Sequence, residues 1–252
     1  MPTPTAAPLL VLVAMPEEAA PLHARLADAA ELPTPFTSGV EARRGMLAGH
    51  DAVVVTTGIG VAAATAAATW AILALSPRLV VAAGSCGGLA ADVEVGTLIV
   101  GESFTWSIAD ATAFGYAPGQ VPGGPERHEA PREWADRAER AAHRAEDPAT
   151  PHGVRRGLML AGDAFVTADL AAPMRERFPA ALSADMETTA SAWTAEALGV
   201  PFAALRAVSD LCGPAAGQQF HLELDVVAET SARAVAALAE DLVGEVAEHV
   251  AD

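Results

Sequence analysis

Four runs of apolar residues constrain the fold of this chain more than any other feature: Leu9–Met15 (LLVLVAM), Asp51–Thr56 (DAVVVT), Leu79–Ala83 (LVVAA) and Phe202–Val208 (FAALRAV). Runs that lack polar alternation are the pattern of strands buried on both faces. Helix-forming segments separate them. Pro16, with Glu17 and Glu18 beside it, suits a first helical turn. An alanine-rich stretch runs from Val61 to about Leu75, a segment small on one side contains Thr189, Ala190, Thr194 and Ala197, and His128–Arg144 reads as a charged amphipathic helix. A last helix is expected from about His221, its buried stripe formed by Leu224, Val227, Ser231, Ala234, Leu238, Leu242 and Val246. Alternating strands and helices imply a mainly parallel sheet covered on both sides.

The minor elements follow the same reading. Val40–Leu47 alternates weakly around two arginines, as an edge or hairpin strand; Val95–Phe104 and Gly157–Ala161 read as further strands. Asp110–Gly124 is loop-like yet carries Phe114 and Tyr116, and aromatics on such a loop point either to self-packing or to contact with another chain. No linker divides the 252 residues, so a single domain over 1–252 is expected, with residues 1–8 as a flexible tail.

Composition narrows the function. A net charge of −17 argues against nucleic acid and anionic membranes as partners, since both are bound through Lys and Arg. All fifteen basic residues are arginine, which excludes a Schiff-base or P-loop lysine. Cys86 and Cys212 make no disulfide framework, and no His/Cys cluster has metal-ligand spacing, so no metal and no cofactor are expected. The seven scattered histidines read as surface or satisfied core residues. Without a signal peptide or a spanning segment, a soluble cytoplasmic protein is expected.

Two glycine-rich turns suggest more familiar chemistries. Gly58-Ile59-Gly60-Val61-Ala62-Ala63 follows a strand and opens a helix, like a dinucleotide fingerprint, but no Asp or Glu lies between Asp51 and Asp92 to hold a ribose diol. Gly84-Ser85-Cys86-Gly87-Gly88 has alanine where a hydrolase elbow needs glycine, so Ser85 serves better as a donor beside a bound oxygen. Acids, by contrast, recur at strand ends. Glu18, Ser85, Asp163–Phe165, Asp185–Glu187 and Ser209-Asp210 all follow buried runs, where a carboxylate is costly unless something polar faces it. If those ends meet, the pocket holds several carboxylates, an aromatic ring, a serine and Arg206. Carboxylates without metal suit cleavage of a glycosidic bond, one as acid and one as base. From spacing alone the reading stops at a carboxylate-driven hydrolase of a small ligand, and Glu18 is also explained as a helix-dipole acid.

Motif by motif, the chain resembles the nucleoside phosphorylase superfamily and, within it, the 5′-methylthioadenosine/S-adenosylhomocysteine nucleosidases. The resemblance is carried in order by Met15-Pro16-Glu17-Glu18, Thr57-Gly58-Ile59-Gly60, Gly84–Leu89 with Val95-Gly96, Asp110–Tyr116 with Gly119–Gly123, Gly162–Phe165, Met186-Glu187 and Arg206–Asp210. It implies a three-layer αβα sandwich around a central mixed sheet, a homodimer with the Asp110–Gly123 loop at its interface, and irreversible hydrolysis of an adenine nucleoside. Carried over by position, Glu18 activates water, with Ser85 and Arg206 organising both. Asp210, helped by Ser209, places a proton at N7. Glu187 binds the ribose hydroxyls, Met186 packs on the sugar, Asp185 and Ile59 are further substrate-binding residues, Phe165 stacks on the purine and the Val166 backbone reads its edge. Phe114 and Pro122 close the 5′ pocket of the neighbouring subunit, and Leu224 stands where an aromatic normally lines that pocket.

Some positions depart from the family pattern. Asp185 replaces a Glu and is one methylene short, Pro16 replaces an acid, Ser107–Asp110 lacks the family's His-Asp, and Leu211–Pro214 lengthens the loop after Asp210. The 5′-substituent is therefore left open. Other expectations are a futalosine-type hydrolase or a phosphorylase, a non-catalytic nucleoside-binding protein and, weakest, a dehydrogenase. Val81-Ala82-Ala83, uncharged where phosphorylases typically carry an arginine, favours water over phosphate as nucleophile.

Overall fold

A computed structural model describes residues 7–149 and 151–249, without the side chains of Leu222 and residues 243–249. Residues 1–6 of the expected tail and the Val246 side chain therefore lie outside the described residues. The elements are β1 (Leu9–Val13), α1 (Pro16–His23), β2 (Leu26–Glu31), β3 (Glu41–Leu47), β4 (His50–Thr56), α2 (Val61–Leu75), β5 (Leu79–Gly88) and β6 (Leu98–Trp106). After a 3-10 turn at Thr112–Phe114 come β7 (His128–Glu129), α3 (Arg132–Ala145), β8 (Val154–Ala161), α4 (Ala168–Arg177), β9 (Ala181–Asp185), α5 (Thr188–Ala197), β10 (Phe202–Asp210) and α6 (Ala216–His249).

The apolar runs form the centre of one mixed sheet. β1 lies between β4 and β5, parallel to both, and β10 runs parallel to β5. Because successive side chains point to opposite faces, Leu9, Val11 and Val13 enter one core with α1, α3 and α6. Leu10 and Leu12 enter the other, against Ala67, Ala68 and Ala71 of α2 and Ala192 and Ala195 of α5. Helices thus cover both faces, giving the three-layer αβα sandwich.

Antiparallel pairings lie to either side of this centre. β3 forms a hairpin with β4, and β2, which the sequence pattern did not reveal, takes the edge. Five of the six β2 residues are exposed, so it has no apolar signature to read. On the other side β5 pairs antiparallel with β9, β9 parallel with β8, β8 parallel with β6 and β6 antiparallel with β10, and β10 returns in parallel to β5, closing a ring of five strands.

Boundaries differ from expectation in several places. The expected helix at His128 begins only at Arg132, because His128-Glu129 pairs with Phe104-Ser103 as a short strand. His128 is buried and meets Glu196 at 2.5 Å, whereas His50 is buried with its Nε2 unpartnered, so not every core histidine is satisfied. The last helix starts at Ala216, earlier than expected, and α4 has no counterpart among the elements that the sequence pattern predicts. Among the described residues no helix is long and apolar enough to cross a membrane, and no group of three His, Cys, Asp or Glu side chains could hold a metal ion.

Candidate active site

The strand ends meet around a cavity of about 290 Å³. The ring closure, rather than one edge of a parallel sheet, brings them together. β1, β5 and β10 arrive in parallel, but β9 runs opposite to the end of β5, with Gly87 facing Ala184, and delivers Asp185–Glu187 from the other side. Glu18, Ile59, Ser85, Phe165, Val166, Asp185, Met186, Glu187, Arg206, Ser209 and Asp210 all line this cavity.

Glu18, third residue of α1, is 1% exposed and accepts four hydrogen bonds. Its Oε2 takes the N–H groups of Ala14 (2.8 Å) and Met15 (3.2 Å); its Oε1 takes the N–H and the hydroxyl of Ser85, both at 2.8 Å. The carboxylate therefore does two things, capping its own helix with one oxygen and meeting β5 with the other. Gly84 makes the approach possible: its φ is +116°, and a Cβ there would stand 2.4 Å from Glu18 Oε1. The Ser85 hydroxyl is thereby committed to Glu18.

Arg206 lies opposite, 2% exposed, donating from Nη1 to the Ser85 carbonyl (2.8 Å) and from Nη2 to Glu187 Oε2 (3.3 Å). Burial alone would depress its pKa, but the charges of Asp185, Glu187 and Glu18 outweigh this and raise it, so it stays a cation. Glu187 experiences the converse. Burial pushes its pKa up to about 7; Arg206 opposes this, Asp185 and Glu18 add to it, and the Gly60 N–H, 3.0 Å from Oε1, opposes it weakly. Asp185 Oδ1 accepts from the N–H groups of Glu187 (2.8 Å) and Thr188 (2.7 Å), capping the turn into α5.

At the far wall, Asp210 accepts from Ser209 Oγ (3.0 Å) and from the Cys212 N–H (2.9 Å). Burial raises its pKa, against the lowering effect of those donors. The glycine turn before α2 is no phosphate cradle: the Gly60 N–H goes to Glu187 and the Val61 N–H to Asp163 Oδ1 at 2.7 Å, so protein carboxylates occupy this helix N-terminus.

Three predicted site residues do not line the cavity. Leu224 is half-buried elsewhere on α6. Because that helix begins early, Phe220, one turn before Leu224, enters the cavity and meets Phe165 edge-on at 5.8 Å and 75°. The sequence pattern does not mark Phe220, because it precedes the helix expected from about His221. Phe114 is 83% exposed on its 3-10 turn and Pro122 is exposed nearby, both outside the cavity. Ala14, Met15, Cys86 and Cys212 also line the cavity and were not singled out for it.

Residues 8–244 match the family model described as Phosphorylase superfamily. Among solved structures, the chain is 33% identical to the 5′-methylthioadenosine/S-adenosylhomocysteine nucleosidase of Neisseria meningitidis in complex with methylthio-immucillin-A, over 93% of this chain and 99% of that one, with a TM-score of 0.87. It is 30% identical to the nucleosidase of the same description from Colwellia psychrerythraea in complex with adenine, over 93% and 95%, with a TM-score of 0.87. The S-adenosylhomocysteine nucleosidase of Streptococcus pyogenes, in complex with 5-methylthiotubericidin, is 26% identical over 94% and 98%, with a TM-score of 0.86. The chain belongs to the phosphorylase superfamily and, within it, to the family of 5′-methylthioadenosine/S-adenosylhomocysteine nucleosidases.

Proposed function

We propose that this chain is a purine nucleosidase, hydrolysing the N-glycosidic bond of 5′-methylthioadenosine- or S-adenosylhomocysteine-type nucleosides to adenine and the thioribose. The observation that carries this is the meeting of Glu18, Glu187 and Asp210 around one cavity. Glu18, held by four donors, is the base that takes a proton from water, with Ser85 and Arg206 fixing its place. Glu187 accepts from the ribose hydroxyls, and Met186 and Ile59 cover the sugar. Asp210 hands its proton to N7 as the base departs with the bonding electrons; water adds to the sugar carbon. A carboxyl whose pKa burial has raised is suited to that donation. Phe165 stacks on the purine, and the Val166 backbone reads its edge.

Water rather than phosphate is the nucleophile in this reading. Arg206 is the only cation lining the cavity among the described residues, and it is engaged by Glu187 and the Ser85 carbonyl. Assaying methylthioadenosine, S-adenosylhomocysteine, 5′-deoxyadenosine and futalosine for free base tests the assignment. Adenine release from the first two supports it; release from futalosine alone redirects it.

We further propose a cytoplasmic homodimer in which Phe114 and Pro122 close the partner's 5′ pocket, which would account for an aromatic ring 83% exposed on a loop. Phe114→Ala should then weaken substrates with large 5′ groups more than adenosine. Equal effects on both would remove Phe114 from the pocket.

A further inference from the structure

Asp185 was expected among the substrate contacts, but its oxygens face the protein. Oδ1 is taken by the N–H groups of Glu187 and Thr188. Oδ2 points at Arg206 Nε from 3.8 Å, beyond hydrogen-bond reach, and neither atom has another partner. Both side chains are 2% exposed. An unbonded but fully buried carboxylate and guanidinium attract strongly, because little solvent screens them.

We propose that Asp185 is a positioning residue: one oxygen fixes the turn that carries Glu187, and the charge on the other holds the Arg206 guanidinium beside Glu187 without bonding to it. This deepens the nucleosidase reading and rests on it for the assignment of Glu187 to the sugar. The groups facing Glu187 are Arg206 from β10, Asp185 from β9, Glu18 from α1 and the Gly60 N–H ahead of α2. Cys86 of β5 also lies near Asp185 and Arg206, but burial, reinforced by the Asp185 charge, keeps its thiol protonated. Arg206 is thus shared between two carboxylates, and Asp185's share keeps Glu187 from ionising as readily as a sole partner would.

Asn at 185 separates the two duties, since it keeps an acceptor for both N–H groups and loses the charge. In Asp185→Asn, Arg206 is left to Glu187, which should ionise at a pH lower by about one unit. Two readouts follow that shift: the acid limb of kcat/KM for adenine release, and the pH dependence of urea-unfolding stability, which requires no substrate. Asp185→Glu keeps the charge and should retain the wild-type midpoint in both. An unchanged midpoint in a folded Asp185→Asn would overturn the proposal. If that variant does not fold, a lowered midpoint in Asp185→Glu does the same, and a wild-type midpoint there supports it. A wild-type protein that releases no base would defeat the nucleosidase reading, while the unfolding readout would still decide the role of Asp185.

Discussion

Glu18 and Glu187 are buried glutamates of one cavity, 1% and 6% exposed, yet their surroundings prepare them for different duties. Four donors satisfy Glu18, three of them backbone N–H groups that cannot turn away. Glu187 has one backbone N–H at 3.0 Å and a share of Arg206 at 3.3 Å, with Asp185 and Glu18 adding negative charge nearby. The difference shows that donor count and neighbouring charge decide what a buried carboxylate does. Glu18 is held in one place by its donors, whereas at Glu187 burial, with the nearby acids, pushes the pKa up to about 7. A sugar hydroxyl arriving at Glu187 would supply a donor that the protein itself lacks there.

The largest effect that could break this contrast is on Glu18. Glu18→Gln removes the base and turns an amide N–H₂ toward existing donors; adenine release should fall by about 10³-fold while a nucleoside analogue still binds. Loss of only a few-fold in a steady-state assay would remove Glu18 as the base. Asp210→Asn should cost about 10²-fold with the fold intact by circular dichroism, and near-normal turnover would take Asp210 out of the mechanism. Ser85→Ala removes one donor of the four, and a drop of roughly tenfold in kcat/KM is expected, about 1.4 kcal/mol. No change would mean that the backbone alone fixes Glu18.

The smallest effect sharpens the contrast from the Glu187 side. Its pKa in the folded protein lies above the ordinary 4.5, at about 7, so the folded state binds the proton more tightly than the unfolded one. Its contribution to stability is therefore highest below pH 4.5 and is lost as pH rises toward 7, with a slope approaching about 1.4 kcal/mol per pH unit. Glu187→Gln should flatten urea-unfolding stability across that window, and a slope equal to wild type would show that other groups set it.

Much of the architecture was legible because burial on two faces leaves an unbroken apolar signal, as in Leu9–Val13 and in residues 52–55 of β4. β2 was not legible because it is an exposed edge strand, and α4 because Pro173 and its mixed polarity interrupt the pattern. The acids were visible at their strand ends, and the family resemblance gave them roles. What one-dimensional spacing could not show was the ring closure that turns β9 against β5, or the helix start that exchanges Leu224 for Phe220. The double engagement of Asp185 was equally hidden, since it depends on 3.8 Å across two strands.

Base release by the wild-type protein from methylthioadenosine, followed with and without inorganic phosphate and with the sugar product identified, tests the acid-lined cavity most directly. Adenine and free methylthioribose at a rate indifferent to phosphate are the expected result. Phosphate-dependent release yielding a sugar 1-phosphate, or no release at all, would contradict it.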